Sequence, residues 1–175
     1  MIPKLAIFIV IVFVAMLLFA MTKPDTFSVQ RSIRIKAPPE RVFAFINDFH
    51  KWSSWAPQDK EDPTMKRTYA GATSGVGSIS EWSSKGSAGK GRMEITESVP
   101  TSRISVKVDF VKPFEAHNMN EFTLQADGGF TSVTWSMHGT NLYIMKVMSL
   151  FTSMDRVAGK HFESGVQELK TGAER

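Results

Sequence analysis

Cysteine is absent from the 175 residues. That excludes disulfides, thiolate nucleophiles and thiolate-ligated metals, but leaves the compartment open. A surplus of one charge is also nearly missing: 21 Lys and Arg stand against 17 Asp and Glu, for a formal +4. No basic run or Lys/Arg stripe concentrates that surplus. Nucleic-acid binding is built on such a stripe, so the charge reads as a solvated surface and no nucleic-acid partner is expected. The four histidines, His50, His117, His138 and His161, have no HxxxH or HExxH spacing. A metal would need ligands converging from separate elements, and no metal or cofactor is expected. No serine stands in a G-x-S-x-G elbow. Gly86–Arg92, GSAGKGR, lacks the Lys-Ser/Thr ending of a phosphate loop and lies between strand-like segments, so it reads as a hairpin turn. Internal repeats and low-complexity tracts are missing too.

What is present begins with Leu5 to Met21, seventeen unbroken apolar residues between Lys4 and Lys23. As a helix they span about 26 Å, close to the hydrocarbon thickness of a bilayer. A secretory signal is the competing reading, but its apolar region is usually shorter, and Leu18-Phe19-Ala20 is a poor small-x-small cleavage site. We expect a retained anchor over residues 1–22, a short linker over 23–26 and one domain over 27–175. The domain is long enough to bury a core. Lys23, Arg31, Arg34 and Lys36 follow the segment and only Lys4 and the α-amine precede it, which leans the domain toward the cytoplasm.

The domain opens with the alternation of Val29, Arg31, Ile33 and Ile35 against polar neighbours, a half-buried strand. Pro38 and Pro39 then open a helix, because proline fits the first turn where its missing N–H has no partner to lose. Glu40 sits where the helix dipole favours a carboxylate. Val42, Phe45, Ile46 and Phe49 make its apolar face. The turn after it carries Trp52 and Trp55, which either gate an opening or simply pack.

Short alternating segments follow at Met65–Tyr69, Ser78–Ser84, Arg92–Ser98, Arg103–Val111, Ala116–Ala126 and Thr131–Thr140. Each is bounded by Gly or Pro, which predicts an antiparallel meander. Its alternation groups Met93 with Ile95, Ile104 with Val106, Val108 and Phe110, Phe122 with Leu124, and Val133 with Trp135 and Met137. Such an apolar face needs a cover. The cover is a single amphipathic helix from about Met145 to Lys170, whose stripe contains Val147, Leu150, Phe151, Met154, Ala158, His161, Phe162, Gly165 and Leu169. Gly165 either allows close packing or leaves room for a ligand. By alternation Glu97 points the way Met93 and Ile95 do. There desolvation would raise its pKa and suit it to acid–base work, unless it simply reaches water at the strand end.

The segments IKAPPERVFAFINDFHKWSSWAP, DPTMKRTYAG, GVGSISEW, GKGRMEITES, VKPF, TSVTWSMHG and LFTSMDRVAGKHFESGVQELK together resemble the START-like (SRPBCC) superfamily. Within it the chain is similar to the polyketide cyclase/dehydrase and lipid-transport family, as a bacterial, membrane-anchored member. The resemblance implies an α+β helix-grip fold: an antiparallel six- to seven-stranded curved sheet wrapped around a long C-terminal helix, here preceded by one transmembrane helix. It also implies a cavity between sheet and helix. Trp52, Trp55, Trp82, Met93, Ile95, Phe110, Phe122, Trp135, Met137, Met154, Ala158, His161 and Phe162 are the candidate ligand-binding residues, each of them also suited to plain core filling.

The expectation is a single-pass membrane protein whose module binds a small hydrophobic molecule or lipid without a cofactor. Two alternatives stand beside it. One is a cyclase or dehydratase on a polyketide-like substrate, with Glu97 and His161 as catalytic candidates. The other is a non-catalytic partner of a membrane complex.

Overall fold

The computed structural model describes residues 4–86 and 88–175. The alternating segments form seven strands: β1 (Thr26–Ile35), β2 (Lys66–Gly71), β3 (Ser78–Ser83), β4 (Lys90–Val99), β5 (Arg103–Lys112), β6 (Ala116–Asp127) and β7 (Phe130–Thr140). They lie in the order β1-β7-β6-β5-β4-β3-β2, every neighbouring pair antiparallel. Strands β2 to β7 are thus the expected meander, and β1 closes it by pairing with β7. Ser87, within the Gly86–Arg92 turn, lies outside the described residues.

Five α-helices accompany the sheet: α1 (Lys4–Met21), α2 (Pro39–Ile46), α3 (Pro57–Glu61), α4 (Tyr143–Met148) and α5 (Met154–Ala173). A 3-10 turn, Phe49–Ser54, joins α2 to α3 and is capped by the Asp48 side chain, which accepts from the His50 N–H. Helix α1 is long and apolar enough to cross a membrane. The C-terminal cover differs from the expected single helix. It breaks between Met148 and Met154, where the Ser149 hydroxyl donates to the Lys146 carbonyl and the Ser153 side chain caps α5 by accepting from the Arg156 N–H. Serine competes with the helix through such local bonds, and residue periodicity does not register them. Phe151, assigned to the buried stripe by periodicity, is therefore 72% exposed.

The register sorts the inner face of the sheet, the one α5 covers, into rows running across the strands. One row is Trp82, Gly91, Phe110 and Ala116; the next is Ser80, Met93, Val108, Asn118, Gly139 and Phe27. Then come Ile95, Val106, Asn120, Met137 and Val29, followed by Ser98, Ile104, Phe122, Trp135 and Arg31. Against these pack Phe162, Val166 and Leu169 of α5 and Val42 and Ile46 of α2, all buried in one core. Arg31 fastens the start of α5 through a two-pronged pair with Asp155, its closest approach 2.7 Å, and lies 3.8 Å from Glu163. Hydrogen bonding to Arg31 holds the Asp155 carboxyl below its ordinary range. Gly165 settles in favour of close packing: a Cβ there would stand 2.6 Å from Trp135 Cζ3 and 3.3 Å from Pro57 Cδ.

Candidate functional site

The two ends of the inner face differ. Around α2 the core is closed. Trp52 and Trp55 are 3% and 0% exposed, and both indole N–H groups are used, donating to the Ile46 carbonyl at 2.9 Å and the Phe45 carbonyl at 3.2 Å. Trp55 meets Phe122 and Trp135 edge-on, with centroids 6.2 and 5.8 Å apart. The gate considered for these two tryptophans is not what the structure shows. They are the floor of the core, because a proline-capped helix turns their rings inward onto a buried sheet.

Ile33, Phe43 and Phe45 nearer α2 are only partly buried, and at the other end so are the inward-facing Phe27, Phe110, Met137 and Ala158. Among them stand polar groups that periodicity alone did not single out. Asn118 and Asn120 are 8% and 6% exposed. Their carbonyl oxygens and the Trp135 indole N–H have no hydrogen-bond partner among the described residues. Asn118 otherwise makes a long contact from its amide nitrogen to Met137 Sδ at 4.0 Å. Buried polar atoms normally find partners, so the unpaired ones on Asn118 and Asn120, consecutive inward positions of β6, and on Trp135, one inward position from Met137 on β7, mark a place where a further polar group can be accepted. The signal in the sequence was there: Asn118 and Asn120 interrupt the apolar alternation of the strand on its inward phase.

A second inward polar group lies on the β2 edge. Arg67 Nε donates to Asp59 Oδ1 at 2.6 Å and its Nη1 to the Ser80 hydroxyl at 3.2 Å, with both charged side chains about nine-tenths buried. Asp59 Oδ2 has no partner among the described residues. This pair also escaped sequence reasoning, since the two residues belong to separate elements.

The other sequence candidates are distributed as follows. Trp82, Met93, Ile95, Phe122, Trp135 and Phe162 are buried in the core. Phe122 and Trp135 stack at 5.1 Å, and Trp135 meets Phe162 at 4.2 Å. Trp82 donates to the Ala88 carbonyl at 2.9 Å and meets Phe110 edge-on. His161 is exposed. The side chain of Met154 lies outside the described residues.

Glu97 is on the opposite face from the one expected. The register shifts between Ile95 and Glu97, so Ile95 faces Val106 but Glu97 faces Ser105. Thr96 is the extra residue of a β-bulge, and one inserted residue reverses which face each later side chain takes. Glu97 therefore points outward, bonded to Arg103 at 2.6 Å and Ser105 at 3.1 Å. The Arg103 and Ser105 hydrogen bonds push its pKa down, not up.

Among the described residues, two open depressions are of note. One, of about 320 Å3, is lined by residues including Arg103, Thr123, Ser132 and Thr134. The other, of about 680 Å3, is lined by residues including Ser28, Lys107, His117, Met119 and His138. No residue of α5 lines either.

A family model described as polyketide cyclase / dehydrase and lipid transport matches residues 26–174. No curated protein matches the chain. Among solved structures, protein CV1439 from Chromobacterium violaceum superposes with a TM-score of 0.61 at 18% identity, covering 87% of this chain and 99% of that one. The Aha1 dimer from Colwellia psychrerythraea gives 0.56 at 16% identity, covering 85% and 96%. Ara h 8.0201 gives 0.55 at 10% identity, covering 85% and 95%. At such identities the likeness concerns the fold, which is the helix-grip arrangement of sheet and C-terminal helix.

Proposed function

Because the chain belongs to the polyketide cyclase / dehydrase and lipid transport family, we propose that it binds a small hydrophobic molecule or lipid between sheet and α5, at the loosely filled end of the inner face. The observation that carries this reading is the set of unpaired buried atoms on Asn118, Asn120 and Trp135 within apolar surroundings. A binding site for an apolar molecule is mostly hydrophobic, with a few polar groups that fix orientation. Those groups are amide and indole, without charge. The inward-facing arginines are already engaged, Arg31 with Asp155 and Arg67 with Asp59. The ligand they suit carries an uncharged hydroxyl or carbonyl on an apolar body, because a buried phosphate or carboxylate would lack a counter-charge. The binding role asks for no acid–base residue and no cofactor. In the same reading α1 is a retained single-pass anchor, with the domain on the cytoplasmic side as the flanking basic residues lean.

The test uses the full chain, purified in mild detergent, beside its Asn120→Leu variant. Organic extracts of the two, compared by mass spectrometry, should differ by a neutral amphiphile held by the wild type alone. Identical extracts, together with no displacement of a fluorescent long-chain alcohol from either protein, would remove the main support for the reading.

A further inference from the structure

The exposed apolar side chains outside α1 are not evenly spread. Ile144, Met148 and Phe151 are 44%, 54% and 72% exposed, and their spacing of four and three residues puts them on one helical stripe. Hydrogen bonds continue past α4, with the Leu150 N–H donating to the Val147 carbonyl and the Phe151 N–H to the Met148 carbonyl, so the stripe extends through Phe151. Val111 and Phe114, in and beside the β5–β6 hairpin, are 59% and 58% exposed. The register places that hairpin at the same end of the sheet as the start of β1: Phe110 pairs with Ala116, Asn118 with Gly139, and Thr140 with Thr26. Helix α1 enters the domain at this end. Isolated apolar residues on a surface are ordinary; a group of them gathered around the emergence of a span-length helix is not.

The position of this group relative to α1 is fixed by bonds. Helix α1 packs against α4, and the Tyr143 hydroxyl donates to the Leu17 carbonyl at 3.0 Å. Leu17 lies four residues before the end of α1, which at 1.5 Å per residue is about 6 Å inside it. Tyr143 thus stands at the level where a spanning helix leaves the hydrocarbon, the depth that Tyr favours. Residues 24 and 25 are bonded to the domain. Asn141 Nδ2 donates to the Pro24 carbonyl at 3.1 Å, the Asn141 N–H donates to the Asp25 carbonyl at 2.7 Å, and Lys146 is bonded to the Asp25 carboxylate. Lys90 and Lys112, opposite each other in the register, and Lys23 add positive charge at the same end.

We propose that Ile144, Met148, Phe151 and Phe114 sit in the interface of the membrane that α1 spans, so that the loosely filled end of the domain rests directly on lipid. The proposal depends on the reading of α1 as a retained anchor. It commits to the bilayer as occupant, since continuity with α1 and the basic rim both fit an anionic lipid surface and the linker is bonded against the domain.

The cysteine-free chain makes the test direct, because any introduced thiol is unique. Phe151→Cys and Phe114→Cys report on the proposed contact, Val12→Cys on the middle of α1, and Val99→Cys on the opposite end of the sheet. Each full-length variant is labelled with an environment-sensitive dye and reconstituted in vesicles of phosphatidylcholine and phosphatidylglycerol. Labels at 151 and 114 should be quenched by lipids carrying the quencher near the headgroup, at a depth of about 5–10 Å typical of interfacial elements. The label at 12 should answer to a quencher at the bilayer centre, and the label at 99 to neither. If position 12 is quenched while 151 and 114 behave like 99, the anchor reading stands and this inference is overturned. If position 12 also stays unquenched, both are overturned. Met148→Cys repeats the reading should the Phe151 variant misfold, and vesicles without phosphatidylglycerol report the share of the basic rim.

Discussion

Replacing Asn120 by Leu should make the ligand-free protein more stable and the ligand-bound protein weaker. Asn120 is 6% exposed between Val106 and Met137, and its carbonyl oxygen has no partner among the described residues. An unsatisfied buried acceptor costs about 1–3 kcal/mol. Leucine has the same branching without that group, and the larger methyls press on the partly buried Met137, which can shift. Allowing for some crowding, a net gain of about 1–2 kcal/mol corresponds to a rise in Tm of about 2–8 °C for a chain of this size. The ligand's hydroxyl or carbonyl would lose its partner and stay buried, so affinity should fall about 10- to 100-fold. Asn120 is the cleaner choice over Asn118, because Gly139 closely abuts the Asn118 side chain and a leucine there would be overpacked. Thermal melts of delipidated protein and a displacement titration read the two effects separately. A lower Tm with ligand retention unchanged would refute the reasoning, for it would mean that the amide is a satisfied structural group.

Trp55→Ala should cost about 3–5 kcal/mol, as deletion of a fully buried indole does, and urea titration should show it. Ligand exchange measured at equal folded fraction should not accelerate; a selective acceleration would restore the gate. Gly165→Ala sets a gain of about 1 kcal/mol in helix propensity against about 1–3 kcal/mol of overpacking on Trp135. A lower Tm, by up to about 2 kcal/mol in stability, is expected, and a rise would show that the ring yields. Acid should destabilise the fold. Arg31 lowers Asp155, Arg103 and Ser105 lower Glu97, and at Asp109 burial pulls upward but hydrogen bonds from His117 and Lys107 outweigh it. Carboxylates lowered in the folded state contribute stability that is complete above their ordinary values of 3.8 to 4.5 and lost as pH falls through the folded values. The urea midpoint should therefore hold between pH 7 and 5 and drop below about pH 4, with Glu97→Gln making the drop shallower; a midpoint flat down to pH 3 would contradict the assignment.

Most of the sheet was legible because one face of each strand is buried and residue alternation records that directly. Strands β2 to β7 fall within two residues of their expected limits, as at β5, Arg103–Lys112 against Arg103–Val111. The misreadings have a common physical origin, in that each depends on a local event that does not alter residue type. Thr96 is a normal strand residue, yet as the bulge it reverses Glu97. Ser149 and Ser153 are compatible with a helix, yet their hydroxyls end one and cap the next. Gly165 was ambiguous until Trp135 was placed beside it. The unpaired Asn118 and Asn120 could be seen as polar residues on an apolar phase, but whether they found partners depended on strands distant in sequence. The Asp59–Arg67 pair required a tertiary contact between α3 and β2 that no spacing encodes.

The bonds that hold residues 24 and 25 carry a consequence if α1 spans a bilayer. A tether of flexible residues lets a domain explore a hemisphere and meet partners dissolved in the water above. Here Asn141 and Lys146 bond the domain to the linker and Tyr143 bonds it to α1, which couples its height and tilt to those of α1. If α1 sits in the membrane, the domain's search is two-dimensional: what it binds must reach it within the membrane plane. Its local concentration at the lipid surface is then set by how many copies the membrane holds, and lengthening the linker by a few glycines would loosen that coupling while leaving the core untouched.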